Sequence, residues 1–510
     1  MSTATIPGAP LPLNWWQRLL LPNLPAIAAV AVLYLAVVVM GPEGLLGDSD
    51  TGWHIVTGER IIETGTLPRA DPYSFTKAGQ PWYAWEWLAD VLYGAAHKWM
   101  GLAGVALFAS LLLAGTAWMW CAFAIWLGAD RILISAVMAV VVSASTIHWH
   151  ARPHLLSWPL LIGWLWLLEK TPAKLSPKRL GGVFILAALW TNLHGSFFLA
   201  FLLAAAYLAE FWLEDRQRAR TLLAETGVAL LATFCNPYGW QLHVHLVRYL
   251  GNSEMLSQIQ EFQSPNFHGG AGLYLILLFF LAIAGVVLCL QQRNFARALA
   301  VALFAATGLR AARGIPVIAF AALPLVSAAL TRALAGAPQL KGVFEESENF
   351  GRIEKQCTGA ALLLAVVLMM FGWFARAPVL GAAAFPSKRF PVLAANEVAK
   401  LPADARLFSP DQFGGYLIYR FRGGRKVFFD GRSDFYGTQF VKDYLDVVAL
   451  KPGWRQKFSR FGFTHALVPA DQPLREALEC AGWKLVYSDK TAALLQRPQA
   501  PPASPVCAMP

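Results

Sequence analysis

The chain is 510 residues long, 56% hydrophobic and 14% charged, with a formal net charge of +11, where an average soluble domain carries roughly 25% charged residues. A mean hydropathy of +0.46 and continuous apolar runs over the first three quarters exclude an ordinary soluble enzyme and indicate a polytopic membrane protein. The basic excess then reads as positive-inside loops and contact with anionic lipid, so no nucleic-acid partner is expected.

In chain order, Arg18 precedes an apolar stretch from Pro25 to Met40, followed by Gly-Pro-Glu-Gly with no A-x-A cleavage pattern. This predicts a retained signal anchor. Apolar runs follow near 24–41, 102–126, 132–148, 155–169, 180–194, 196–213, 221–235, 271–290, 296–309, 315–332 and 358–377, giving about eleven crossings. Several are shorter than the roughly 20 residues a straight span prefers, and 180–213 could form one long element or a hairpin. Cations decide the orientation. Arg18, Arg131, Lys170 to Arg179, Arg216 to Arg220, Arg293 with Arg297, and Lys341 to Lys355 fall in one alternating set of loops. By the positive-inside rule that set is cytoplasmic, and breaking 180–213 at His194-Gly195 keeps the alternation. The N-terminus is then inside and the C-terminal segment outside.

The outer side holds a long first loop, 41–100, a second loop, 236–270, and everything after Arg376. The first loop predicts two interfacial helices, Thr51–Glu63 and Trp82–Lys98, joined by the turn-rich stretch from Gly65 to Pro81. From Phe390 to Arg497 short strand-like runs (Arg406–Ser409, Lys426–Asp430, His465–Pro469, Lys484–Ser488, Ala492–Gln496) alternate with helical patterns such as Gln439–Leu450 and Pro473–Cys480. The expected organisation is a transmembrane domain, 1–377, followed by a small α/β domain with a disordered Pro/Ala-rich tail, 378–510. Cys121, Cys235 and Cys289 lie in apolar runs and Cys357 just before one, which predicts buried thiols; Cys480 and Cys507 share the outer side, where a bridge is open to them.

The polar chemistry clusters at the outer ends of the spans. Asp48-Ser49-Asp50-Thr51-Gly52-Trp53-His54 directly follows the first span, and the i, i+4 spacing of Asp50 and His54 puts carboxylate and imidazole on one helix face, where they could share a metal or a proton. A plain N-cap role for Asp50 weighs equally on sequence alone. Trp82, Tyr83, Trp85, Glu86, Trp87 and Asp90 mix indoles with acids, as sugar sites and interfacial belts both do. His148, His150, Arg152 and His154 close the third span and His194 the fifth, as metal ligands, phosphate contacts or structural groups. Arg310 and Arg313 lie on the side where cations are disfavoured, and a guanidinium pair kept there suits an anion such as a lipid phosphate. The segment from Asn236 to His268, with Glu261 and Gln263, could form a lid. Gly414-Gly415 lacks the Lys-Ser/Thr end of a phosphate loop, and Asp430-Gly431-Arg432 reads as a structural turn.

On these features the chain resembles the GT-C superfamily of polytopic glycosyltransferases, through the acids after the first span, the long external loop, the many short spans and the exported C-terminal domain. The phrases D-x-D-x-G-W-H-I-x-T-G-E (48–59), D-P-Y-S-F-T (71–76), G-x-P-W-x-x-x-E-W-L (79–88), A-R-P-H-L (151–155), W-x-N-x-H-G (190–195), N-P-Y-G (236–239) and F-D-G-R (429–432) resemble bacterial membrane proteins placed near that superfamily. The Asp-Glu pair of the mannosyltransferases is absent, and F-F-D-G-R only loosely matches the W-W-D-Y-G of oligosaccharyltransferases.

The resemblance implies a bacterial inner-membrane enzyme that moves a sugar from a polyprenyl-phosphate-linked donor to a glycan, lipid or protein acceptor. Asp50, with Asp48, carries the catalytic expectation; His54, Trp85, Glu86, Arg152, His194, Arg310 and Arg313 carry substrate binding. A divalent Mg²⁺ or Mn²⁺ is left open, with Asp50, His54, His148 and His150 as candidate ligands. Two competing readings are a non-catalytic lipid-carrier-binding scaffold in envelope polysaccharide assembly and a transporter; a transporter should place ionisable groups near mid-bilayer, whereas these cluster at span ends.

Overall fold

The computed structural model describes residues 13–376 and 383–498. Cys507, the tail and the 377/378 domain boundary lie outside the described residues. Among the described residues, six helical segments are long and apolar enough to cross a membrane: Leu24–Leu45, Trp87–Trp126, Arg131–His148, Gly195–Glu214, Gly272–Gln291 and Ala312–Leu334. The chain is a multi-pass membrane protein. The other apolar runs are helical too, as His154–Glu169, Pro177–Leu193, Arg216–Ala232, Phe295–Arg310 and Ala360–Arg376, each of 16 or 17 residues. The break at His194-Gly195 is present: Pro177–Leu193 ends where His194 turns extended and its Nδ1 accepts the Ser196 N–H. Cys121, Cys289 and Cys357 are buried thiols, but Cys235 is exposed because Arg216–Ala232 ends before it.

The loop 41–100 forms two helices. Asp50–Thr64 starts at the second acid and ends on Gly65, whose positive φ of 64° makes a left-handed cap. The second helix starts at Trp87 rather than Trp82, because Pro81 pairs with Ala70 in an isolated bridge and the Trp82 N–H donates to the Arg69 carbonyl, holding that stretch extended. It meets the next span at Met100 and Gly101, where Gly101 (φ 62°) lets the chain break helical geometry.

The Asp50–Thr64 helix is enclosed by protein on two sides, and glycines set both contacts. A Cβ on Gly58 would stand 1.8 Å from the Asp90 carbonyl, and one on Gly52 2.3 Å from the Gly415 carbonyl. Gly414-Gly415 therefore serves close backbone packing: it sits on helix Asp411–Arg420 of the C-terminal domain, which lies across the acid-bearing turn.

That domain is a four-stranded sheet ordered β1 (Leu407–Phe408), β2 (His465–Pro469), β4 (Ala492–Gln496), β3 (Lys484–Ser488). β1 and β2 run parallel, the remaining pairs antiparallel, with a bulge between Leu485 and Tyr487. Helices Thr438–Val448 and Pro473–Cys480 accompany the sheet, and Phe408, Phe428, Phe458 and Phe463 fill the core beneath it. The expected strand Lys426–Asp430 does not form. Val427 makes only a single bridge to Ser74, because the chain turns at once to bury Asp430 and Arg432.

This turn latches the C-terminal sheet region to the loop 41–100. Arg432 Nε and Nη2 donate to Asp430 at 2.7 Å, Nη2 also donates to Asp71 at 2.9 Å, and the guanidinium lies 4.6 Å from the Trp82 ring. Asp71 in turn accepts the backbone N–H groups of Tyr73 and Ser74. Two phrases far apart in sequence, 71–76 and 429–432, are halves of one buried ion-pair network.

Candidate active site

Three carboxylates from different parts of the chain converge on one guanidinium. Arg152 Nη1 lies 3.0 Å from Asp48 Oδ2 and 2.7 Å from Glu261 Oε1, and Nη2 lies 3.1 Å from Asp50 Oδ2. Asp48 and Asp50 share the turn after the first span, where Asp48 Oδ1 accepts the Asp50 N–H at 2.9 Å. Glu261 comes from a short 3-10 turn, Gln260–Phe262, in the loop 236–270. Its other oxygen pairs with Arg313 Nε, and the Arg313 guanidinium also stacks 4.7 Å from the Phe262 ring.

Arg152 is placed by its backbone. The Ala151 N–H donates to the Leu45 carbonyl at 2.8 Å, Thr51 Oγ1 donates to the Ala151 carbonyl at 3.0 Å, and Tyr93 Oη donates to the Arg152 carbonyl at 2.9 Å. The site opens outward from there: the Arg152 side chain is 14% exposed and that of Arg313 38%.

Electrostatics separates the two aspartates. Burial, with Asp48 and Glu261, pushes Asp50 up to about 7 against the pull of Arg152. At Asp48 burial is outweighed by Arg152 and His150, and the carboxyl falls below its ordinary value; at Glu261 it is outweighed by Arg152 and Arg313, and the fall is large. One acid poised near neutrality beside two firmly ionised ones is an arrangement suited to taking up a proton. Trp53 Nε1–H donates to Asp50 Oδ1 at 3.1 Å and orients it.

Glu86 and His194 form a neighbouring pair. His194 Nδ1 accepts the Ser196 N–H, which leaves Nε2 to face Glu86 Oε1 at 3.5 Å. Burial pushes Glu86 up to about 7, while burial, Arg313 and Arg152 push His194 down to about 3. Beside them Trp85 stacks on His245 at 4.5 Å, and His245 Nε2 lies 3.4 Å from Asp434 of the C-terminal domain.

The remaining candidates stand apart from the acids. His54 is fully buried, and its Nδ1 pairs at 2.5 Å with Asp90 rather than with Asp50. His150 Nδ1 faces the Gly44 carbonyl at 3.3 Å, and buried His148 Nε2 has no partner. Arg310 is exposed and makes no ion pair among the described residues. Among those residues no group of three or more His, Cys, Asp or Glu side chains is arranged to hold a metal ion. The carboxylates that could supply one are already gathered on Arg152, so the donor set does not fit a resident divalent ion.

Glu261 and Asp434 were visible in the sequence only as members of a loop and a turn, and His245 gave no signal. Gly431 is the least foreseeable: a Cβ there would stand 1.9 Å from Asp50 Oδ1, so the 429–432 turn walls the acid centre.

No family model matches the chain, and no curated protein matches it. Among solved structures it is similar to the oligosaccharyltransferase of Archaeoglobus fulgidus. The form tethered to an acceptor peptide containing the NVT sequon matches over 93% of this chain and 74% of that one, with a TM-score of 0.56 and 13% identity. The complex of the same archaeal enzyme with an inhibitory peptide and a dolichol-phosphate matches over the same shares at 0.57 and 13% identity, and its apo form at 0.55. The chain shares the fold of that archaeal enzyme. The match covers 93% of the chain, so the shared fold accounts for nearly all of it. In this fold the three carboxylates and Arg152 lie where the first apolar helix, the loops 41–100 and 236–270 and the C-terminal sheet region meet.

Proposed function

We propose that the chain is a GT-C-type glycosyltransferase that moves a sugar from a polyprenyl-phosphate-linked donor to an acceptor hydroxyl or amide at the extracytoplasmic face of a bacterial inner membrane. The observation that carries this reading is the convergence of Asp48, Asp50 and Glu261 on Arg152, with Arg313 paired to Glu261 beside them. It is supported by the GT-C fold and by the acids' position directly after the first apolar segment. By the positive-inside rule about eleven helices cross, the N-terminus is cytoplasmic, and the acid centre and the C-terminal domain face outward.

Asp50 Oδ2 takes the proton from the acceptor as its heteroatom attacks the anomeric carbon. The bond from that carbon to the phosphate oxygen breaks, and the polyprenyl phosphate leaves as an anion. A single displacement of this kind inverts the anomeric configuration. A base in this role contributes roughly 10²- to 10⁴-fold in rate. Arg313, the more open guanidinium, receives the leaving phosphate, with Arg310 at the mouth of the same segment; Asp48 holds the turn and, through its N–H acceptor bond, the start of the Asp50 helix. Glu86, His194 and Trp85 bind the acceptor or the sugar by hydrogen bonds and ring contact.

The test is native mass spectrometry of the full chain purified in mild detergent, alongside an Arg310→Ala, Arg313→Ala double variant. A polyprenyl phosphate or its sugar conjugate bound to the wild type and lost from the variant is the expected result, and its mass names the sugar. Lipid-free wild type, with no turnover of added donor, contradicts the reading.

A further inference from the structure

We propose that Arg152 is the resident cation of the acidic centre, standing where a divalent metal ion would stand among Asp48, Asp50 and Glu261, and that the centre works without such an ion. The inference deepens the glycosyltransferase reading and rests on it for its functional consequence.

Five of the six oxygens of the three carboxylates already accept an N–H, and the sixth, Asp50 Oδ2, is ion-paired to Arg152 Nη2 at 3.1 Å. Asp48 Oδ1 accepts from the Asp50 backbone and Oδ2 from Arg152. Asp50 Oδ1 accepts from Trp53 Nε1, and its Oδ2 faces Arg152 Nη2. Glu261 Oε1 accepts from Arg152 and Oε2 from Arg313. The planar guanidinium fork suits this task, since its N–H groups diverge in one plane and can serve several carboxylates at once. The oxygens stand at hydrogen-bonding distance from its nitrogens, 2.7 to 3.1 Å, around the point on which all three acids converge. A divalent ion needs that same point, with oxygens at roughly 2.0–2.6 Å.

Charge leads to the same conclusion. Three carboxylates face Arg152 and Arg313, so the cluster is one charge from neutrality, and a proton on Asp50 closes the gap. A divalent ion added beside Arg152 would crowd three cations into a largely water-shielded space. The cluster has room for one central cation, and the chain provides it. Arg152 is also held against withdrawal, because the carbonyls on either side of its N–H are bound by Thr51 and Tyr93, and Pro153 follows. Buried His148 Nε2 has no partner, but a single imidazole does not make a divalent site.

Arg152 is thus a positioning residue. It fixes the direction of the Asp50 carboxylate; no bond to Arg152 forms or breaks during transfer.

The experiment measures Mn²⁺ binding by electron paramagnetic resonance, following the six-line signal of free Mn²⁺. Chelator-treated full-length protein in detergent is titrated with Mn²⁺, with and without added polyprenyl monophosphate. The wild type is expected to leave the free signal equal to that of a protein-free blank with the same lipid content in both conditions, whereas Arg152→Met, which opens the three acids, takes up one Mn²⁺ per chain beyond that blank. Stoichiometric Mn²⁺ uptake by the wild type that disappears in Asp48→Asn overturns the proposal, whether or not lipid is required for it, and this readout stands even where Arg152→Met does not fold. Because the measurement needs no turnover, its failure is separable from that of the glycosyltransferase reading: a wild type that binds Mn²⁺ and transfers sugar keeps the function and loses this inference.

Discussion

A Cβ built on Gly431 would stand 1.9 Å from Oδ1 of Asp50 and 2.7 Å from its Cγ. The 429–432 turn of the C-terminal domain therefore touches the acid placed by the first external loop, and the centre is complete only when the domain is docked. Gly431→Ala must displace either the turn or the carboxylate. Misplacing a reacting group by about 1 Å can cost roughly 10²-fold in rate. The expected result is normal expression and lipid binding with transfer reduced by about that factor, measured by donor consumption in detergent; full activity would show that the contact does not constrain Asp50.

The acidic limb of the pH–rate profile reports the base. Asp50 must be ionised to accept a proton, so kcat/KM should rise with pH through a midpoint near 7, where burial and the neighbouring carboxylates hold it. Arg152 draws Asp50 downward, so Arg152→Gln should move the midpoint to higher pH. Glu86 is also pushed up to about 7, and Glu86→Gln separates the two groups: the limb persists in that variant if Asp50 is its source. A profile flat between pH 6 and 8 in the wild type would exclude Asp50 as the base.

Arg432 joins the two domains through Asp430 and Asp71, all three side chains buried. Removing the cation leaves two buried carboxylates unpaired, and breaking such a network typically costs about 3–5 kcal/mol. Arg432→Met should lower the thermal unfolding midpoint of the detergent-solubilised protein by several degrees and expose the interface to limited proteolysis. An unchanged midpoint would show that the latch adds nothing to stability.

The orientation is open to direct test. A phosphatase reporter joined after residue 498 should be active, and a fluorescent reporter that folds only in the cytoplasm should stay dark at the same position. The reverse pattern would place the acid centre on the cytoplasmic side and exclude an extracytoplasmic donor.

The positions of the apolar helices and the acid turn were legible in the sequence because both are local signals. Apolar runs set the helices, and Asp48, Asp50 and Arg152 sit in short phrases at the ends of such runs. The helix break at His194 followed from the cation pattern alone. What could not be read is long-range. Glu261 reaches Arg152 from a loop, and Gly431 reaches Asp50 from another domain, and neither approach leaves a periodic trace. The i, i+4 pairing of Asp50 with His54 was misleading for the same reason: Asp90 arrives from the next helix and captures the imidazole at 2.5 Å. The expected strand at Lys426–Asp430 was lost to an ion pair, since its last acid is turned inward to Arg432. The alternation of residues gave no notice of that partner.

The most direct test of the central claim compares wild type and Asp50→Asn reconstituted in liposomes with polyprenyl-phosphate sugars and acceptors extracted from a bacterial envelope, following donor loss and polyprenyl phosphate release by mass spectrometry. The wild type should consume the donor, and Asp50→Asn should bind it equally while turning over roughly 10²- to 10⁴-fold more slowly. Equal rates in the two proteins would remove Asp50 from the chemistry and contradict the account.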